Sequence, residues 1–374
     1  MDALRDSPEV LYGALAALVI VILLTPAVGG MARLLGVVDR PEARRLNPNP
    51  VPRLGGLAIF FGIFVPALAF LELGRETRGV LLGAAVATVV GAIDDFRVLP
   101  PGRKFLGQVL AASIPPFFDV WVDRFTVPFL DPMTLPAFVG VPLTMLWIVA
   151  VMNMVNFLDG MDGLAAGVCG IAGATFAVLA LSLGKTDPAI LSAIICGACL
   201  GFLRHNFFPA RIFMGDSGAL ALGFLLAAVS VQGLLKTAST VVLLLPLLVL
   251  AVPILDTSFV VARRLKHRER ITAPDQAHLH FRFLRRGFSQ RRAAVTMWAW
   301  CATLAGAALA TRFIPFRAGG EWHPWETLAV VAIAVVALSF SLYVVYLLEV
   351  VKLANPRRFW RARRPATDVE RRSA

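Results

Sequence analysis

Pro136 to Leu183 reads PAFVGVPLTMLWIVAVMNMVNFLDGMDGLAAGVCGIAGATFAVLALSL, two apolar runs joined by a short string of amides and carboxylates. A helix crossing ~30 Å of hydrocarbon needs about 20 apolar residues, and the runs near 136–156 and 163–183 supply that length without a charged side chain. The joint between them is the informative part. Carboxylates beside hydrocarbon are costly, so Asp159 and Asp162 require pairing, capping or a bound cation.

The rest of the chain has the same character. Of its 374 residues 58% are apolar and 16% charged, with a mean hydropathy of +0.74, well outside the range of a soluble globular domain. Its 24 prolines and 30 glycines follow no period, and charge comes in short bursts, which excludes collagen-like, coiled-coil and disordered chains. A net charge of +12 would suggest a polyanion partner in a soluble protein. Here its distribution between loops matters more, and no nucleic-acid partner is expected. Cys169, Cys196, Cys199 and Cys301 sit in apolar stretches and read as small hydrophobes, without a disulfide framework or a closed metal site.

Cutting the sequence wherever charge, Pro/Gly clusters or amide-rich loops interrupt apolar runs yields eleven expected spans. They lie near 9–28, 54–71, 79–93, 105–122, 136–156, 163–183, 188–203, 217–235, 238–261, 292–311 and 327–350. The first reads as a retained span, because its start is acidic and no small-residue cleavage site follows. Lys and Arg, counted over alternate loops, divide 28 to 8. By the positive-inside rule the N-terminus is then outside and the C-terminus cytoplasmic. The expected architecture is an all-α integral membrane protein of about eleven transmembrane helices, one polytopic domain over residues 1–351. Its cytoplasmic loops fall near 29–53, 94–104, 153–163, 204–216 and 262–291, and a basic cytoplasmic tail over 352–374 is expected to lie against anionic headgroups or to be disordered.

Four polar clusters fall on those loops. The first is Asp94-Asp95, followed by Lys104 and Gln108. Adjacent carboxylates repel, so such a pair is favourable only near cations, and a member with a raised pKa would suit proton transfer. The bland alternative is a solvated turn in which Lys104 balances Asp95. In the second cluster Asn153, Asn156, Asp159 and Asp162 recur every third residue, and two Asp-Gly steps supply turns that aim carboxylates at one site. Oxygen-only ligands suit a hard cation such as magnesium. The third, Phe213-Met214-Gly215-Asp216-Ser217-Gly218, would cap the helix after it or complete a metal site with Asn156. The fourth, Asp275-Gln276-Ala277-His278-Leu279-His280, precedes Arg282, Arg285, Arg286, Arg291 and Arg292. Two imidazoles two residues apart share a face only in extended structure, and the arginines suit phosphate oxygens. Together the clusters point to phosphoryl transfer between a soluble nucleotide and a lipid carrier.

In this order, with Pro52-Arg53-Leu54-Gly55-Gly56 ahead of them, the motifs resemble those of the polyprenyl-phosphate N-acetylhexosamine-1-phosphate transferases. The resemblance spans most of the chain. It implies transfer of an N-acetylhexosamine 1-phosphate, with GlcNAc-1-phosphate first, from a UDP-sugar to undecaprenyl phosphate, giving lipid-diphospho-sugar and UMP. It places the protein in the bacterial cytoplasmic membrane, with its site facing the cytoplasm, at the start of a cell-envelope polysaccharide. It implies Asn156 and Asp216 as ligands of magnesium, with manganese as a substitute. Asp94, Asp95, Lys104, Asp159, Asp162 and His278 are the catalytic candidates, with Asp94 or Asp95 as the base acting on the lipid phosphate. Arg53, Gly55, Gly56, Asn153, Asn206, His280 and Arg282 are the substrate-binding candidates. A homodimer is left open. In one departure from the family pattern, Phe281 follows His280 where many GlcNAc-type relatives carry a third histidine. A MurNAc-pentapeptide phosphotransferase is the nearest alternative. A transporter of anionic sugars is the rival from another class, but it would place binding groups near midplane, where several of these spans are almost free of ionisable residues.

Overall fold

The computed structural model describes residues 6–39, 50–125, 133–235, 240–267, 278–318 and 321–348. Asp275, from the fourth cluster, and the tail from residue 349 lie outside the described residues. Helix α1 (Glu9–Leu34) leads through an antiparallel two-strand pair, β1 (Val38–Asp39) and β2 (Val51–Pro52), into α2 (Gly55–Phe70) and α3 (Arg75–Phe96). Next come α4 (Pro101–Phe117) and a second antiparallel pair, β3 (Arg124–Phe125) with β4 (Met133–Thr134). Helices α5 (Ala137–Leu158), α6 (Leu164–Ser182) and α7 (Thr186–Asn206) follow, and α8 (Gly215–Ser230) runs on into a π-helical turn, Val231–Leu235. The chain continues through α9 (Thr240–Val249), α10 (Ala251–His267), the short α11 (Leu279–Arg285) and α12 (Gln290–Phe313). A third pair, β5 (Arg317–Ala318) with β6 (Glu321–Trp322), precedes α13 (Pro324–Leu347).

Among the described residues, eight helices are long and apolar enough to cross a membrane: α1, α3, α5, α6, α7, α8 with its extension to Gly233, α12 and α13. The α2 helix is apolar but only 16 residues long. The protein is an all-α integral membrane protein. One expected span is divided. The 238–261 run separates at Leu250 into α9 and α10, because Pro253 has no N–H to donate to the Val249 carbonyl. All four cysteines are free thiols.

Helix α8 forms the axis of the bundle. Its residues from Ser217 onward are buried, and α3 and α5 pack along it. The α1 helix lies on α7, which also packs on α6; α12 packs on α6 as well. The α1–α7 contact uses Gly197 and Gly201, where a side chain would strike the backbone carbonyls of Ala14 and Leu18. Small residues four apart allow such backbone approach in lipid, where apolar burial supplies no driving force between helices. Apolar side chains also cover the outside. Leu23 is 71% exposed and Tyr346 66%, and α13 buries only Ala337 and Val344, as expected of surfaces solvated by lipid rather than water.

Candidate active site

The N-terminus of α8 organises the site. The Asp95 carboxylate, in the last turn of α3, accepts from the Asp216 and Ser217 backbone N–H groups at 2.8 and 3.0 Å and from Ser217 Oγ at 2.7 Å. An anion at the start of a helix satisfies amides that lack intrahelical partners and meets the positive end of the dipole. From the opposite side, Gly55 and Gly56 donate their N–H groups to the Phe213 and Met214 carbonyls at 3.0 and 2.8 Å. A Cβ on Gly56 would collide with the Gly218 backbone, so only glycine lets α2 approach this closely. The two glycines expected to bind substrate therefore brace the loop that presents Asp216.

With the loop held, side chains from four helices converge. Lys104 Nζ, in the first turn of α4, lies 2.9 Å from Asp94 Oδ2, 2.6 Å from Asp216 Oδ2 and 3.2 Å from Asn156 Oδ1. The Asn156 amide donates to Asp216 Oδ1, and Asp94 Oδ1 accepts from the Leu99 N–H at 2.6 Å. Residues 94, 104, 156 and 216 thus form one cluster of two carboxylates, an amide and an ammonium. Asp94 and Asp95 point different ways despite being adjacent: Asp94 faces the lysine, and Asp95 faces the helix start.

The 159–163 turn sits beside the cluster. Asp159 Oδ2 accepts from the Gly215 N–H at 3.2 Å. Burial, reinforced by the negative Asp216 and Asp95, pushes its carboxyl well above the usual carboxylate range against the opposing pull of Arg53 and the Gly215 N–H. Arg53 Nε stands 3.9 Å from Asp39 Oδ1. Other candidates stiffen the surrounding loops. Asp162 Oδ2 accepts from the Ala210 N–H at 2.9 Å. The buried Asn206 spends both ends of its amide on backbone, accepting from the Gly163 N–H and donating to the Ile212 carbonyl. Asn153 exchanges hydrogen bonds with the buried Gln108, locking α5 to α4 one turn away from the cluster.

The histidine tract packs against this turn. His278 precedes α11 in an extended conformation and His280 lies in its first turn, and the rings stack at a centroid distance of 5.8 Å with an interplanar angle of 8°. Extended structure is therefore not needed throughout for the two rings to meet: only His278 is extended, and His280 is helical. His280 abuts Gly160, and neither of its ring nitrogens has a partner among the described residues. Burial drives its pKa down to about 4, with His278 adding to the shift and Asp256 opposing it, so the ring is neutral. Phe157, next to Asn156, lies 5.3 Å from the His278 ring. Arg282 stacks on Phe259 at 4.3 Å. One participant escaped the sequence reading: Asp256 of α10, 1% exposed, whose Oδ2 lies 2.9 Å from His278 Nδ1 and whose Oδ1 accepts from the Leu279 N–H at 2.7 Å. Its only signal was a lone carboxylate in an apolar run.

The model of glycosyl transferase family 4 matches residues 77–234, a range containing Asp94, Lys104, Asn156 and Asp216. A probable undecaprenyl-phosphate N-acetylglucosaminyl 1-phosphate transferase of Bacillus subtilis is 38% identical over 292 residues, covering 78% of this chain and 81% of the relative. The decaprenyl-phosphate N-acetylglucosaminephosphotransferase of Mycobacterium leprae is 33% identical over 83% of this chain and 86% of its own. A phospho-N-acetylmuramoyl-pentapeptide-transferase of Desulforudis audaxviator is 33% identical over 80% of this chain and 97% of its own. Matched by the family model over residues 77–234 and by the Bacillus subtilis relative along most of both lengths, the chain belongs to glycosyl transferase family 4.

Proposed function

We propose that the protein transfers N-acetylglucosamine 1-phosphate from UDP-N-acetylglucosamine to undecaprenyl phosphate, releasing UMP and starting a cell-envelope polysaccharide. In this reading the protein resides in the bacterial inner membrane, its N-terminus is outside, and the site faces the cytoplasm. The observation that carries it is the meeting of Asp94, Lys104, Asn156 and Asp216 at one end of the bundle. The names of the relatives support the acceptor class and the sugar.

The donor set fits magnesium, because three oxygens from Asp94, Asn156 and Asp216 already surround one positive centre. No three His, Cys, Asp or Glu side chains form a metal cluster among the described residues. Asp216 and Asn156 would therefore hold the ion together with water and substrate phosphates, the usual habit of magnesium, with manganese as a substitute. Once bound, the ion would neutralise charge on the donor diphosphate. Lys104 supplies a second positive charge for phosphate oxygens. Asp94 is the carboxylate suited to receive a proton from the lipid phosphate or to orient it, since Asp95 is committed to the α8 N-terminus. A lipid phosphate oxygen attacks the sugar-bearing phosphorus, the bond to the bridging oxygen breaks, and UMP leaves with that oxygen and its electron pair. Positioning and electrostatics carry such a transfer, so the fixed cluster is the main catalyst.

The test is UMP release by purified protein in nanodiscs given UDP-N-acetylglucosamine, undecaprenyl phosphate and magnesium. Release stops with chelator and in Asp216→Ala; a folded Asp216→Ala protein with near-normal turnover overturns the metal assignment. A donor panel including UDP-MurNAc-pentapeptide, with product masses read directly, decides the sugar.

A further inference from the structure

The family motifs leave Asp256 without a task, yet it is among the most deeply buried carboxylates described, at 1% exposure. A carboxylate taken from water is strongly disfavoured unless it is paired and hydrogen-bonded. Starting α11 does not require that expense, because a neutral serine or asparagine accepts a first-turn N–H as well. What the carboxylate adds is the second contact. Its Oδ1 takes the Leu279 N–H while its Oδ2 takes His278 Nδ1, so one side chain fixes the backbone after the histidine and the rotation of its ring. The tract also meets Phe157, beside His278, and Gly160, beside His280, which flank Asp159 and follow Asn156. The His278 ring lies between Asp256 of α10 and Phe157 of α5, the residue after Asn156, while His280 meets Gly160 of the turn. With Nδ1 of His278 engaged by Asp256, Nε2 is the ring nitrogen left for a ligand.

We propose that Asp256 is a positioning residue for the transfer, commits His278 Nδ1 to itself, and thereby turns Nε2 toward the substrate diphosphate. This inference rests on the reading of the site given above. Carboxylates behind a functional imidazole set its tautomer and orientation, and their removal commonly costs 10 to 100-fold, as known best where the imidazole binds a metal. An asparagine at 256 still accepts the Leu279 N–H but offers N–H rather than oxygen to Nδ1, or the reverse. It cannot serve both groups as the carboxylate does.

The experiment measures kcat and donor KM for UMP release, with thermal unfolding, in Asp256→Asn, Asp256→Ser and Asp256→Glu. The expected result is a kcat lower by about 10 to 100-fold in Asn and Ser, donor KM within about threefold, and partial recovery in Glu, while all three unfold near the wild-type temperature. Asn keeps the reach and an acceptor for the Leu279 N–H, whereas Ser ends one bond short of both partners; wild-type kcat in either overturns the proposal and leaves Asp256 as a helix cap. Loss of KM and kcat together with unfolding, without recovery in Glu, overturns it as well. A wild-type protein that releases no UMP overturns the transferase reading itself.

Discussion

Lys104 has its ammonium shared among Asp94, Asn156 and Asp216, and this sharing makes it hard to replace. Lys104→Met leaves two carboxylates facing each other without a cation, and a fall in UMP release of about 100-fold or more is expected, the size seen when one fixed charge-stabilising donor is lost. Lys104→Arg should recover only a small part, because a planar fork does not reproduce a compact ammonium pointing three ways. His280 provides a pH prediction. Its pKa falls from the ordinary 6.5 to about 4 on burial, so the unfolded chain takes up its proton first as pH drops. The stability it contributes by remaining neutral is complete above pH 6.5 and is lost progressively between 6.5 and about 4. The raised carboxyl of Asp159 acts with the opposite sign, favouring the folded state as pH falls. The comparison must therefore be a difference: thermal unfolding of wild type should weaken more steeply than that of His280→Phe across this window, and parallel curves would refute the assignment. The sequence made Asp94, Lys104, Asn156 and Asp216 readable because each lies in a compact polar motif at the end of an apolar run. Asp256 was not readable, since its partner is 22 residues away and single acids in apolar runs have many uses.

At the scale of elements, the site depends on how closely α2 and α3 approach the start of α8. The Arg53-Leu54-Gly55-Gly56 motif was legible as a motif, but not as a brace, because the carbonyls it serves belong to residues 213 and 214. Gly56→Val should displace the Phe213–Gly218 loop and abolish turnover while the helices remain inserted. Normal helical circular dichroism with undetectable UMP release is the expected pair of readings. Gly201→Leu belongs to a different contact, where α7 meets the α1 backbone at Leu18. There the expected loss is in thermal stability, with residual activity in the folded fraction. Run lengths located most helices to within a few residues. The division of 238–261 was missed because hydropathy registers proline weakly, whereas the hydrogen-bond ladder registers its absent N–H in full.

For the whole molecule, alternation of helices explains why distant motifs meet. The C-terminal ends of α3, α5 and α7 and the N-terminal ends of α4, α6 and α8 are tied together by Asp95–Ser217, Lys104–Asp216, Asn156–Asp216 and Asn206–Gly163. The opposite ends meet around a cavity lined by Glu9, Glu72, Arg75, Asp119, Lys185 and Asp187. These two poles make the expected orientation measurable. The basic-loop count assigns the Lys104 pole to the cytoplasm, where a nucleotide sugar is available, and the acidic pole to the outside. Single cysteines replacing exposed residues, in a chain whose four native cysteines are changed to alanine or serine, report each pole through a membrane-impermeant maleimide. In intact cells Lys185→Cys should label and Arg211→Cys should not; inverted vesicles should reverse the pattern. Labelling of both from one side would mean that a described helix fails to cross, and labelling in the reverse sense would place the charged cluster away from its nucleotide. Either result would remove the transferase reading, since a soluble UDP-sugar and a phosphate anchored in lipid can meet only where the polar pole opens to the compartment that holds the sugar.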